Sequence, residues 1–366
     1  MLFEIFSRLN FAGHPYFGKL HFCRSIANSI AEDKNLVLLY YESEDHTKAY
    51  YSRCGSRDDN ALIEHRKLEF PFRNLNGYLR IVGSGNGLVC LIDTNYFSSL
   101  GILMLWNPIF KKFERLPDSC RIHRFRSSFS HMVVGFMFVP KINDFRIVQI
   151  LYSSYVSAVP DVLVYSLEVN SWRKVKAIAP CYMPNKWSSS VVVNGEVHWL
   201  AYKRPKASPA CDSIMAFNMA GEVFRMMALP TNLNGSYDEV HLSVSASGES
   251  LSVSFHFDHR WEVWLMKNYG VAESWMIQFS ILEGRISLPL NFMDSGNFLL
   301  VAKNGKLVSH NPETEKIQEQ EMCGPPSSFR LVACSLSLAL VDGGDNSWSD
   351  ELSLTQLSYP NQHTSE

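Results

Sequence analysis

Hydrophobic and polar positions alternate over short distances along most of the chain. From about residue 35 onward, short runs rich in Val, Leu, Ile, Phe and Tyr are broken about every ten residues by Gly, Asn, Asp, Ser or Pro. Helical periodicity is nearly absent after residue 34, so the pattern predicts an all-β protein. The clearest runs predict strands within residues 36–41, 87–93, 102–106, 145–152, 161–167, 189–202, 250–257, 261–266, 297–310 and 329–341.

Three Asn-Gly pairs predict tight turns. Asn194-Gly195 and Asn304-Gly305 each interrupt an apolar run, and both residues tolerate the positive φ that a type I′ hairpin turn requires. The third pair lies in GSGNGL (83–88), which superficially resembles a dinucleotide-binding loop. Because a strand pattern follows it where such a loop needs a helix, we predict a tight turn into a strand.

One strand–turn–strand unit recurs five times with a bulky residue in its second strand. These residues are Phe113, Trp172, Phe224, Trp275 and Ile317, at spacings of 59, 52, 51 and 42. Periods of about 40–50 residues are typical of β-propeller blades, and about six blades would fit the strand-rich region. A blade buries its faces only against its neighbours, so we expect the bulky residues to pack between blades in a closed ring. A pair of β-sandwiches with coincidental turn spacing is the alternative.

Charge and cysteine usage limit the classes of partner and the cellular compartment that we expect for this protein. The 34 basic and 36 acidic residues leave a net charge of −2, which argues against a global electrostatic partner such as nucleic acid or a membrane surface. No long uncharged apolar window predicts a membrane span, and the first residues do not form a secretory signal. The eight cysteines include no C-x-x-C pair, as expected of an intracellular protein of the cytoplasm or nucleus.

The candidate chemistry is sparse. Common catalytic motifs are absent, and HFDH (256–259) is the closest cluster of metal-ligand residues, with His256 and Asp258 predicted on one strand face and His259 in a turn. We therefore predict no catalytic residue, metal, cofactor or small-molecule substrate. The basic cluster RIHRFRSSF (121–129) and the loop KRPKASPACD (203–212) are interpreted as exposed rim loops available to protein partners.

Particular strings resemble a known family. VGSGNGLVCL followed by LMLWNPIFKKFERLP is similar to the opening of the plant F-box-associated domain. DVLVYSLEVNSWRKV, VVVNGEVHWLA and VWLMKNYGVAESWMIQFSI resemble its later blocks, so the similarity runs from about residue 78 to 341. HMVVGFMFVPKINDFRIVQIL departs from the pattern: Val139 stands where Asp is usual, and Phe145-Arg146 replaces Tyr-Lys.

The resemblance implies a fold and a function. The family domain is a propeller-like, kelch-related β structure that captures target proteins. In typical members an F-box precedes it and docks on the Skp adaptor of a cullin-based, SCF-type ubiquitin ligase. The implied role is a non-catalytic substrate-recognition subunit whose partners are a Skp-type adaptor and a target protein.

The first residues resemble a shortened F-box. MLFEIFSRLN is similar to its first helix and HPYFGKLHF to its exit, with only Asn10–Gly13 between them where the family has a longer segment. A helix of nine residues is marginal without packing partners, so we expect weakened adaptor binding. The alternative is an interaction module that has lost the adaptor. The implied adaptor-binding residues are Leu2, Phe3, Ile5, Phe6 and Leu9.

We therefore divide the chain into three parts. Residues 1–34 are the helical F-box remnant, 35–341 the propeller domain, and 342–366 a flexible polar tail.

Overall fold

The strands form six four-stranded antiparallel sheets in a computed structural model of the chain. The structure describes residues 37–42, 49–56, 62–68, 78–94, 101–108, 111–119, 129–153, 159–183, 190–202, 211–230, 240–293, 295–333 and 339. The prediction of an all-β propeller with about six blades is confirmed. Among the described residues, no helix is long and apolar enough to span a membrane.

Five blades are built from four consecutive strands each. Within a blade, the first strand is the innermost and the fourth is the outermost. Blades 1 to 5 are β4–β7, β8–β11, β12–β15, β16–β19 and β20–β23, and blade 6 has the order β24, β1, β2, β3. The strand bounds are β1 Val37–Glu42, β2 Ala49–Ser56, β3 Leu62–Leu68, β4 Tyr78–Gly85, β5 Leu88–Thr94, β6 Ile102–Asn107, β7 Lys112–Arg115, β8 Phe129–Val139, β9 Asp144–Ser153, β10 Asp161–Ser166, β11 Ser171–Lys174, β12 Val191–Val193, β13 Glu196–Ala201, β14 Ser213–Asn218, β15 Val223–Ala228, β16 Val240–Val244, β17 Leu251–Phe257, β18 Arg260–Met266, β19 Trp275–Leu282, β20 Ile286–Phe292, β21 Phe298–Ala302, β22 Lys306–His310, β23 Ile317–Cys323 and β24 Arg330–Ala333.

The ring closes by pairing the two ends of the described chain. β24 runs antiparallel to β1, with Val37 opposite Ala333 and Tyr40 opposite Arg330. As the innermost strand of blade 6, β24 contacts the innermost strands of the two neighbouring blades, β4 of blade 1 and β20 of blade 5. The predicted run 329–341 contains β24, which ends at Ala333 where its partner β1 begins, and Ala339 lies in a turn.

The five recurrent bulky residues all lie on the outermost strand of their blade. Two of them tie neighbouring blades together, as predicted. The Trp172 indole N–H donates to Pro117 O in blade 1 (2.7 Å), and that of Trp275 donates to Ala228 O in blade 3 (3.0 Å). Both tryptophans are buried, so the prediction of packing between blades is confirmed for them, whereas Ile317 in blade 5 is 37% exposed and does not follow it.

The Asn-Gly turns divide into two kinds. Asn194 and Gly195 both have positive φ (52° and 76°), as do Asn86 and Gly87 (43° and 79°), so these two predictions are confirmed. Asn304-Gly305 does not form the predicted two-residue turn. The connection is Lys303–Gly305, and only Gly305 has positive φ (80°), with its N–H donating to Ala302 O (2.9 Å). Three-residue hairpin loops place their left-handed residue last in this way.

Antiparallel strands give the ring two distinct faces. Connections between the first and second, and the third and fourth, strands of a blade leave at one end, here called the turn face. All other connections leave at the opposite end, the loop face. The turn-face connections of blades 1 to 4 are residues 86–87, 108–111, 140–143, 167–170, 194–195, 219–222, 245–250 and 267–274.

Candidate protein-interaction surface

The turn face of blades 2 to 4 carries a network of charged and polar side chains, here called the ion-pair band. Its members are Asp144, Arg146, Arg173, Glu196, Asn218, Glu222, Arg225 and Tyr269.

Asp144 anchors the band in blade 2. This carboxylate is buried at the start of β9, where Oδ2 accepts hydrogen bonds from Ser166 Oγ (2.7 Å) and Arg146 Nε (3.3 Å). Its other oxygen accepts the Glu168 N–H (3.1 Å). A buried carboxylate with three donors is fully satisfied, so it fixes the 167–170 turn and the direction of Arg146.

Arg146 and Arg173 carry the band from blade 2 to blade 3. Arg146 Nη1 donates to Met219 O (3.1 Å) and contacts Glu222 Oε1 (3.4 Å). Arg173, on the outermost strand of blade 2, donates to both carboxylate oxygens of Glu222, with Nη1 2.9 Å from Oε2. This two-point contact gives directional as well as electrostatic stabilisation. Glu222 therefore holds the turn 219–222 against blade 2.

Glu196 is the centre of the band in blade 3. Its carboxylate accepts from Arg225 Nε (2.6 Å), Tyr269 Oη (2.9 Å) and Asn218 Nδ2 (3.3 Å). Burial alone would raise the pKa of Glu196, but these hydrogen bonds together lower it. Glu196 is therefore a carboxylate at neutral pH.

Tyr269 joins blade 4 to this centre. It belongs to the 267–274 connection, and the Arg225 guanidinium lies 4.7 Å from the centroid of its ring. Burial raises the pKa of the Tyr269 hydroxyl, and so does its hydrogen bond to the Glu196 carboxylate, so the hydroxyl keeps its proton. His198 Nε2 lies 2.8 Å from the same oxygen. Since Tyr269 donates to Glu196, neutral His198 must donate to Tyr269 through Nε2–H.

His198 contributes rigidity to this cluster. Its side chain is fully buried, and burial lowers its pKa to about 4. The imidazole is therefore neutral at pH 7 and serves as a hydrogen-bond donor. The arrangement clamps blade 4 onto blade 3.

Exposed aliphatic side chains surround the band. Ile142, Val169, Val223 and Val271 all lie on the turn face, with 41%, 69%, 59% and 44% of their surface exposed. Exposed apolar side chains next to partly exposed arginines make a surface that can offer both apolar contact and charge to a protein partner. The turns that carry them are held by the buried hydrogen bonds below, which lowers the entropy lost on binding.

Most residues predicted from the sequence to form sites lie outside the described residues. These are Leu2, Phe3, Ile5, Phe6 and Leu9, residues 121–128 of the basic cluster and residues 203–210 of the second loop. The strands that flank both loops, β7 and β8 in one case and β13 and β14 in the other, end on the loop face.

The HFDH cluster does not have the predicted geometry. His256 lies on β17 with its ring centroid 5.8 Å from that of Trp261. Asp258 was predicted on the same strand face, and this is wrong: Asp258 and His259 form a two-residue turn with positive φ (45° and 61°). Within the part of the chain that the structure describes, no three His, Cys, Asp or Glu side chains come together as a metal site.

Sequence reasoning did not single out the ion-pair band. A local signal existed for three members, since Asp144 and Arg146 belong to a block that resembles the family pattern, and Glu196 follows the Asn194-Gly195 turn. Tyr269 lies 73 residues from Glu196 along the chain, so no local periodicity connects them.

The fold defines the chain as a β-propeller of four-stranded blades. Its sequence matches the family model of the F-box associated beta propeller domain over residues 56–324, and the chain belongs to this family. The resemblance of the sequence to the plant F-box-associated domain is thereby confirmed.

Curated relatives and a solved structure agree with this assignment. The chain is 24% identical to F-box protein At3g07870 of Arabidopsis thaliana, covering 89% of this chain and 84% of the relative. It is also 24% identical to F-box protein CPR1 of the same plant, covering 80% and 75%. The crystal structure of TolB from Acinetobacter baumannii superposes with a TM-score of 0.50 at 10% identity, covering 85% of this chain and 71% of TolB, and shows the fold alone.

Proposed function

We propose that the chain is a substrate-recognition subunit of an SCF-type, cullin-based ubiquitin ligase in the cytoplasm or nucleus. The observation that carries the proposal is the family match over residues 56–324, on a chain whose full-length relatives are F-box proteins. The chain contributes no catalytic group in this role. It binds a Skp-type adaptor at one end and a target protein on the propeller.

The two partners use different parts of the chain. The F-box-like segment 1–34 binds the adaptor through Leu2, Phe3, Ile5, Phe6 and Leu9. The target binds the turn face, where Ile142, Val169, Val223 and Val271 supply apolar contact and Arg173 and Arg225 supply charge. The ion-pair band supports this proposal because it fixes these side chains on a rigid scaffold.

Adaptor binding is the first test. The immobilised full-length chain should retain a purified Skp-type adaptor, and Ile5→Asp together with Leu9→Asp should weaken retention about tenfold or more, because a charge replaces an apolar contact. Val169→Asp, an equally apolar-to-charged change on the propeller, should leave retention unchanged. A wild-type chain that retains no adaptor would contradict the receptor role.

The second candidate is a propeller module that binds targets without recruiting the ligase. The short Asn10–Gly13 connection between the two F-box-like strings favours it. Under this alternative the adaptor is not retained, but it is retained after a complete F-box replaces residues 1–34.

The turn face is tested through ubiquitination. In a reconstituted ligase, Val169→Asp with Val223→Asp should reduce ubiquitination of a captured target about tenfold, because two carboxylates would enter the apolar contact. Val159→Asp with Ile178→Asp is the matched control, since these side chains are as exposed (63% and 65%) but lie on the loop face. Equal losses in both double variants would argue against the turn face as the target site.

A further inference from the structure

Ala339, the last residue that the structure describes, lies at the turn face of blade 1. Ala339 packs against the core between blades 1 and 2, and its carbonyl oxygen accepts a hydrogen bond from Asn107 Nδ2 (3.0 Å). Asn107 is fully buried and is the last residue of β6, which ends on the turn face. Residues beyond Ala339 therefore start at a fixed point on that face.

The segment that follows has a distinctive composition. Residues 342–366 contain five acidic residues and no Lys or Arg, together with large apolar side chains. Their acidic members are Asp342, Asp345, Asp350, Glu351 and Glu366, and their apolar members are Trp348, Leu352, Leu354, Leu357 and Tyr359. At about 3.3 Å per extended residue, this segment is long enough to cross the turn face.

The turn face next to Ala339 carries more cations than anions. Around the 108–111, 140–143 and 167–170 connections, cations outnumber anions by five to four. The cations are Lys111, Lys112, Lys141, Arg146 and Arg173, and the anions are Glu114, Asp144, Glu168 and Glu222. Lys141 is exposed beside Ile142, and Val169 projects from the next turn, so basic and apolar groups lie together.

We propose that residues 342–366 dock on the turn face of blades 1 and 2. The acidic residues lie against Lys141 and Arg173, and the apolar side chains cover Ile142 and Val169. The contact is intramolecular, so the segment acts at an effective concentration in the millimolar range and a weak interaction suffices. Because it covers Val169, it competes with the target; this consequence rests on the proposed function, whereas the docking itself does not.

Site-specific photo-crosslinking of the full-length chain tests the docking. A benzophenone amino acid replaces Ile142, and mass spectrometry identifies the attached peptide after irradiation and digestion. We expect crosslinks to peptides from 342–366. The same substitution at Ile178, which is more exposed (65%, against 41% for Ile142) but lies on the loop face, should give none to that segment.

Two further arms make the outcome decisive. Mixing isotopically heavy and light chains separates crosslinks within one chain, which support the proposal, from crosslinks between chains, which overturn it. Lys141→Glu should lower the yield about threefold or more, and Lys176→Glu, a loop-face control, should not. Absent crosslinks from Ile142, or equal yields from Ile178, would also overturn it. Neither adaptor nor target is present, so failure here leaves the proposed function untouched.

Discussion

Trp199→Ala is expected to lower the free energy of unfolding by about 3–5 kcal/mol, the range for deleting a fully buried large aromatic side chain. Trp199 is 0% exposed in the core between blades 2 and 3, where its indole N–H donates to Val134 O (3.2 Å). The substitution removes this contact and leaves a cavity between two blades that bury each other. Urea denaturation, followed by circular dichroism, measures the change.

Gly135 explains why Trp199 fits. A Cβ atom added at Gly135 would lie 2.5 Å from Trp199 Cζ2 and 2.6 Å from Val197 Cγ1, so Gly135→Ala alone should cost about 1–3 kcal/mol by overpacking. Trp199→Ala removes one of the two obstructing side chains. Gly135→Ala should therefore cost less in that background, and a double-mutant cycle gives the coupling. Gly284→Ala is the matched control, because a Cβ there meets nothing within 4 Å.

Additive effects in the cycle would contradict this account. They would mean that the absence of a side chain at Gly135 serves the backbone and not the packing of Trp199. The sequence alone could not distinguish these two reasons for a glycine, because Trp199 lies on the next blade.

The order of apolar and polar residues predicted those strands whose pattern is visible within a short stretch of the sequence. Apolar runs marked the buried second and third strands, and the recurrent bulky residues marked the outermost strands, because both patterns repeat within one blade. β20 was not among the predicted strands. It contains Pro289 and two register shifts, and proline removes a donor that an ordinary strand would use.

Contacts between distant segments were beyond local prediction. The pairing of β24 with β1 joins opposite ends of the described chain, so a sequence repeat within one blade does not predict it. The ion-pair band is similar, since Arg146 and Glu222 are 76 residues apart. Their pairing became visible only when the turns of blades 2 and 3 were placed side by side. The resemblance to a family identified the scaffold, whereas this surface came from the geometry.

Lowering the pH from about 6.5 to about 4 is expected to destabilise the fold steeply. Burial lowers the pKa of His198 and of His241 to about 4, and the nearby positive charge of Arg330 also lowers that of His241. In the unfolded chain histidine has a pKa of about 6.5. The unfolded state therefore binds protons that the folded state excludes. The contribution of both residues is fully present above about pH 6.5 and is lost as the pH falls towards 4.

The slope of the free energy of unfolding against pH counts the protons that the unfolded state binds in excess of the folded state. Each excess proton in the unfolded state lowers the free energy of unfolding by about 1.4 kcal/mol per pH unit, so two histidines should give up to about 2.7. His310, whose pKa burial also lowers, acts in the same direction. Urea midpoints at a series of pH values measure the slope, provided that the denaturant dependence stays constant.

A neutral replacement assigns the effect to one residue. The glutamine in His241→Gln cannot take up a proton. The free energy of unfolding of this variant should therefore fall less steeply than that of the wild type between pH 6.5 and 4, by up to about 1.4 kcal/mol per pH unit. A wild-type midpoint that does not change between pH 7 and 5 would show that His198 and His241 take up protons at the same pH in the folded and the unfolded chain. Burial would then not keep these two imidazoles neutral below about pH 6.5, and this account of the pH dependence would be wrong.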